Sequence, residues 1–136
     1  MKYFIDTSAF VALADRTDQY HSTAISFFKD QVGPSDPLHT SNYVLDETIA
    51  RLRVSAGYHA ALVFAESAHA SRRHQIHQVD RDLELEALRL FKRYRDHDFS
   101  FTDCTTLALL DRLSITHLFA YDKVFRAVGY SLVPNL

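Results

Sequence analysis

Four acidic residues, Asp6, Glu47, Asp103 and Asp122, stand at positions where a parallel sheet could gather them. Asp6 closes the run Tyr3-Phe4-Ile5 and precedes Thr7-Ser8 and the unbroken apolar stretch Ala9 to Ala14. A short β-forming run, a polar cap and then an apolar stretch spell a buried strand feeding a helix. Asp6 is therefore expected at the carboxyl end of a central strand, the edge where open α/β sheets bind ligands. Glu47 falls in the first turns of the helix after Leu38 to Thr40. Asp103 follows Ser100-Phe101-Thr102 at the start of an apolar helix. Asp122 ends the run His117 to Tyr121, as Asp6 ends the first. Strand ends and the starts of the helices that follow share one edge of such a sheet, so four distant carboxylates can converge.

Carboxylates that close repel, and each raises the pKa of the others. They persist as an ionised cluster only beside a cation, and an all-oxygen set suits Mg²⁺ or Mn²⁺. Such ions commonly act on phosphate esters: they activate water and neutralise charge on the pentacovalent transition state. Each acid also has a plainer role. Asp6 can cap its helix, Glu47 can pair with Arg51 one turn on, Asp103 can be an N-cap, and Asp122 can sit in a turn before Lys123. Taken jointly, four acids at one edge favour the shared site.

The elements that must place them alternate along the chain. Strands are expected at Tyr3 to Ile5, Leu38 to Thr40, Gln75 to Val79, His117 to Tyr121 and Tyr130 to Val133. Helices are expected over Ala9 to Ala14, His21 to Lys29, Tyr43 to about Val54 after a Ser41 or Asn42 cap, and Tyr58 to Ala70. The next is capped by Asp80, carries Leu83, Ala87, Leu88 and Phe91, and ends in Lys92-Arg93-Tyr94-Arg95. After a short connection, Phe99 to Thr102, come helices over Asp103 to Leu113 and, last, Lys123 to Ala127. Asp15 to Tyr20 reads as a polar turn, and Gly33-Pro34-Ser35-Asp36-Pro37 as the strongest breaker. Strands alternating with helices give an α/β fold, a central parallel sheet with helices on both faces.

At 136 residues the chain fits one domain, 1–136, with room for a sizeable core. Hydrophobic residues at 47% and charged residues at 24% are those of a soluble globular protein. The N-terminus reads as a strand rather than a signal peptide, and no apolar run reaches membrane-spanning length, so a cytoplasmic protein with no membrane partner is expected. A net charge of −2 is no basic footprint, so any nucleic-acid binding must rest on a metal or a local patch. Arg51 and Arg53 are candidate phosphate contacts; Arg72, Arg73, Arg93 and Arg95 fit solvated helix faces equally well. Cys104, the single cysteine, reads as a small core residue. His69, His74 and His77 fit no zinc spacing. Asp46 and Asp98 compete with their neighbours Glu47 and Asp103.

The segments FIDTSAF, TSNYVLDET, FSFTDCTTLAL and LFAYDKVFRAVGY resemble, in order and over almost the full length, a PIN domain of the VapC-type toxin ribonucleases. The resemblance implies an endoribonuclease of a type II toxin–antitoxin pair that uses Mg²⁺ or Mn²⁺ to cut RNA. It places Asp6, Glu47, Asp103 and Asp122 in the acidic positions. It places Ser8 and Thr102 in the hydroxyl positions that help hold water or phosphate. It also implies a homodimer and a small antitoxin whose C-terminal segment occupies the cleft, with a basic side chain. Rival readings are a phosphorelay receiver, a haloacid-dehalogenase-type phosphatase and a non-catalytic antitoxin-binding module. The first wants paired acids where Thr7 follows Asp6, and the second wants an Asp where Ser8 stands.

Overall fold

Tyr3–Ile5 forms β1, buried along its whole length, as a strand covered on both faces requires. The computed structural model describes residues 1–135. Helices α1 (Thr7–Ala14) and α2 (His21–Asp30) follow β1, and β2 (Leu38–Ser41) returns the chain to the sheet. Next come α3 (Asn42–Ser55), α4 (Tyr58–Ala70), β3 (His74–His77), α5 (Arg81–Arg93) and α6 (Phe101–Leu113). The chain closes with β4 (His117–Phe119), a 3₁₀ helix (Lys123–Val128) and β5 (Ser131–Val133). All four strand pairings are parallel, in the order β3-β2-β1-β4-β5.

This order makes β1 central and puts the reversal of winding between β1 and β4. Parallel sheets open a crevice at such a point, beyond the carboxyl ends of the strands. The register holds the two ends level, Ile5 opposite Phe119, and the Asp6 amide donates to the Phe119 carbonyl at 3.0 Å. The core is built on Phe4, Ile5, Leu38, Val44, Leu83, Leu110, Leu118 and Phe119. Cys104 lies within it, fully buried, and burial pushes its thiol up to about 11.

Several boundaries differ from those read in the sequence; α1 already begins at Thr7, because Asp6 caps it. The third strand is His74–His77, two residues shorter at its carboxyl end than expected. Its register follows β2, Leu38 to His74 through Ser41 to His77, and the Val79 amide instead donates to the Asn42 side chain at 2.8 Å. Helix α6 begins at Phe101, because Ser100 caps it, so Phe101 and Thr102 are helical rather than a connection. The fourth strand stops at Phe119, and Ala120 and Tyr121 carry the chain beyond it to Asp122. Helix α6 follows another helix, not a strand. It reaches the same edge because it runs back to open β4 after a short connection, Ser114 to Thr116.

Phe4 is fully buried on the central strand. Phe4→Ala is expected to cost about 3–5 kcal/mol, read as a lowered urea midpoint at unchanged slope. A loss below about 1 kcal/mol would show that β1 is not the packed centre of the sheet.

Candidate active site

Asp6, the residue after β1, caps α1: its Oδ2 accepts from the Ser8 hydroxyl at 3.1 Å and from the Ser8 amide at 3.5 Å. The same Ser8 hydroxyl accepts from the Tyr121 amide at 2.9 Å, which ties the chain beyond β4 to the acid beyond β1. Ser41 caps α3 through the Val44 amide. That start turns Val44, Leu45, Thr48 and Leu52 inward and leaves Glu47 at the border of the buried stripe. Thr7, itself buried, donates its hydroxyl to Glu47 Oε2 at 3.4 Å. Asp103 is the acidic half of a reciprocal cap: its amide donates to Ser100 Oγ and its Oδ2 accepts from the Ser100 amide, both at 3.0 Å. Asp122 caps the 3₁₀ helix, its Oδ1 accepting from the Val124 amide at 3.1 Å.

The four acids line one cleft of about 450 Å³. Asp6 caps its helix, as the plainer role had it. Asp122 caps the 3₁₀ helix rather than only sitting in a turn. Asp103 is not the N-cap but the third helical residue, whose carboxylate closes the cap begun by Ser100. All three share the cleft as well. Glu47 makes no ion pair with Arg51: among the described residues the ion pairs are Met1–Asp36 and Arg89–Glu86. Arg51 lines the cleft, whereas the Arg53 guanidinium lies over the Tyr58 ring, 5.6 Å from its centroid. Ser8 lines the cleft; Thr102 stands beside Asp103 in the first turn of α6, outside the lining. Asp98 belongs to the wall and Asp46 is exposed away from it. Asp18, Gln19, Tyr20 and Tyr121 also line the cleft, and none of them stood out in the sequence.

The carboxyls sense one another. Burial, and then the Asp103 charge, push Asp6 up to about 7 against the pull of the Thr7 and Ser8 donors. Burial pushes Asp103 up to about 6; the Ser100 amide pulls it down, and Asp122 and Glu47 push it up. Two carboxyls raised this far by burial and by their acidic neighbours belong to a cluster lacking positive charge. Among the described residues no three Asp, Glu, His or Cys side chains stand close enough to close around one ion. A dehydrated cage therefore does not fit. A water-rich ion of the Mg²⁺ type, held by one or two carboxylates at a time, fits the oxygen-only donor set.

The PIN domain family matches residues 3–130. The sequence is 33% identical over 129 residues to the 23S rRNA-specific endonuclease VapC20 of Mycobacterium tuberculosis, covering 93% of this chain and 94% of that protein. The fold is similar to the crystal structure of Mycobacterium tuberculosis VapC20, described as a sarcin-ricin loop cleaving toxin. The TM-score is 0.87 at 31% identity, over 95% of this chain and 96% of that one. The fold is also shared with VapBC2 from Rickettsia felis bound to a DNA fragment from its promoter, at a TM-score of 0.65 and 14% identity over 97% of each chain.

The raised carboxyls set a pH dependence for the metal-free protein. Folded Asp6 and Asp103 keep protons that the unfolded chain releases near pH 4, so stability falls as pH rises above about 4. The loss is complete once pH passes about 6 for Asp103 and about 7 for Asp6. Its slope is at most about 1.4 kcal/mol per pH unit for each proton. Burial holds His39, His74 and His77 below the usual imidazole range, and they oppose this trend as pH falls. The difference between wild type and Asp6→Asn isolates the Asp6 share. In thermal melts with EDTA, Asp6→Asn is expected to match wild type near pH 4 and to exceed it increasingly up to about pH 8. A difference independent of pH would mean that folding leaves the Asp6 proton unperturbed.

Proposed function

The chain belongs to the PIN domain family, and we propose that it is a metal-dependent endoribonuclease, the toxin of a type II toxin–antitoxin pair. The observation that carries the chemistry is the convergence of Asp6, Glu47, Asp103 and Asp122, from four separate elements, on one cleft where burial and neighbouring charge raise Asp6 and Asp103. Asp6 and Asp103 are the direct ligands of Mg²⁺ or Mn²⁺ in this reading, with Glu47 and Asp122 completing the site. When bound, the ion supplies Lewis-acid chemistry, generating a nucleophile from water at neutral pH and offsetting charge at the phosphate.

The chain's own residues do the positioning. Ser8 fixes the Asp6 carboxylate, and Ser100 fixes that of Asp103. Thr7 orients Glu47, which orients water toward the phosphorus. Arg51 is the cation of the cleft wall and takes a phosphate oxygen. The acid-rich cleft suits a basic side chain from the antitoxin's C-terminal segment. Helix α5 exposes Leu85, Leu88 and Phe91 along one stripe, which supports a homodimer. No helix among the described residues is long and apolar enough to cross a membrane. We place the toxin in the cytoplasm beside its RNA, with the whole chain serving as one PIN domain.

The test is cleavage of a transcript carrying the sarcin–ricin loop of 23S rRNA, in Mg²⁺ or Mn²⁺ and in EDTA. Wild type should cut with metal and not with EDTA. Asp6→Asn should abolish cutting with the fold intact. Glu47→Gln should lose on the order of a hundredfold or more, with Arg53→Ala, whose side chain is engaged with Tyr58, within about twofold of wild type. Cutting by Glu47→Gln within a few-fold of wild type reduces the site to Asp6, Asp103 and Asp122. Cutting by Asp6→Asn at the wild-type rate sinks the assignment.

A further inference from the structure

One wall of the cleft is not acidic machinery. Asp18, Gln19 and Tyr20 form it, and the turn that carries them is closed by two internal bonds. Asp18 Oδ1 accepts from the Tyr20 amide at 2.8 Å, and the Asp18 carbonyl accepts from the His21 amide at 3.0 Å. The Tyr20 ring stacks on Tyr121, centroids 4.4 Å apart and planes within 4°. Tyr121 is held in turn: its hydroxyl shares a hydrogen bond with Thr23 Oγ1 at 3.1 Å, and its amide donates to Ser8 Oγ. That Ser8 hydroxyl is the one bonded to Asp6, so the aromatic pair is fixed relative to the acid centre. Tyr121 is 8% exposed and Tyr20 half-buried, so Tyr20 is the ring that a molecule in the cleft meets.

The charge of the cleft says what such a ring is for. Asp6, Asp18, Glu47, Asp98, Asp103 and Asp122 line it against the single cation Arg51. A polyanion is poorly held there by phosphate contacts alone. Stacking carries no charge penalty, and every base presents a π-face. Enzymes and binding proteins that read RNA commonly splay unpaired bases onto aromatic rings.

We propose that Tyr20, backed by Tyr121, is a stacking platform for one unpaired nucleobase flanking the scissile phosphate. The inference rests on the ribonuclease reading above. Tyr20 is thus a substrate-positioning residue, and its ring is already oriented before RNA arrives, which lowers the ordering cost of binding.

The test pairs cleavage kinetics with a fluorescence signal. In kinetics on the sarcin–ricin transcript, Tyr20→Leu should lower kcat/KM on the order of ten- to a hundredfold, chiefly through KM. Tyr20→Phe, which keeps the π-face, should stay within about threefold. For the spectroscopic arm, 2-aminopurine replaces the bases next to the cut, and the non-cleaving Asp6→Asn protein is the host. Its fluorescence should be quenched on binding, and Tyr20→Leu in that host should abolish the quenching. Should Tyr20→Leu melt well below wild type, Tyr20→Trp decides: the larger ring should lower KM and deepen quenching, and an unchanged Trp variant overturns the proposal. Unchanged quenching and kinetics in Tyr20→Leu overturn it while leaving the ribonuclease reading intact. If that variant loses only inhibition by the antitoxin, the ring serves the protein partner and the proposal also fails. A wild-type protein that never cuts RNA fells the ribonuclease reading before any variant is compared, and this inference with it.

Discussion

Burying a carboxylate among other carboxylates is the constraint on which this molecule turns. Asp6 is 3% exposed at the end of the central strand, and Asp103, Asp122 and Glu47 share its cleft. Desolvation and like-charge repulsion both disfavour its ionised form. The protein does not relieve this with an ion pair. It anchors the acids with neutral donors: Ser8 for Asp6, Thr7 for Glu47, Ser100 for Asp103 and the Val124 amide for Asp122. A hydroxyl or amide fixes the direction of a carboxylate without cancelling its charge. A lysine or arginine in the same place would have made a quieter site with nothing left for a cation.

That arrangement needs stiff supports, since repulsion pushes the acids apart. Parallel pairing of β1 with β2 and β4 fixes the edge, and α6, with a run of buried residues from Cys104 to Leu110, fixes Asp103. The caps serve twice: they satisfy amides at helix starts and aim the acids. Capping and chemistry are therefore not competing roles for Asp6, Asp103 and Asp122. Helix starts also place partial positive charge near these acids, which offsets part of their repulsion.

What was legible in the sequence follows from how local each signal is. β1 and the body of α1 are spelled by adjacent residues and lie where the sequence puts them, and of the two cap candidates for α3, Ser41 and Asn42, it is Ser41 that caps. The third strand, His-Gln-Ile-His, is short, half-exposed and weakly patterned, so its limits come from pairing with β2 rather than from its own residues. The start of α6 was written in Ser100 and Asp103 as a cap pair, but Phe99 to Thr102 also reads as a connection, and tertiary packing decides. The convergence of the acids was legible because one sheet edge gathers strand ends as a class. The Tyr20–Tyr121 stack was not, since no local rule joins a polar turn to a residue beyond β4. The same holds for Arg51 and Arg53: two residues apart on α3, they point to different surroundings that only the neighbouring helices define.

In the proposed reading, the charge imbalance of the cleft then orders the encounter with RNA. With the acids uncompensated, the cleft repels phosphate, and burial with like charge raises the proton affinity of Asp6 and Asp103. Asp6 and Asp103, in that reading, would hold a divalent ion in place of protons, and its charge would let the same surface accept a phosphodiester. In the same reading, a basic side chain from the antitoxin would meet that demand without the chemistry, so metal and inhibitor would answer one electrostatic need. An aromatic wall is neutral in this competition. As the proposed stacking platform it would attract a base whether or not the acids are compensated, and so would fix where along the RNA the cut falls while the acids decide whether it falls at all.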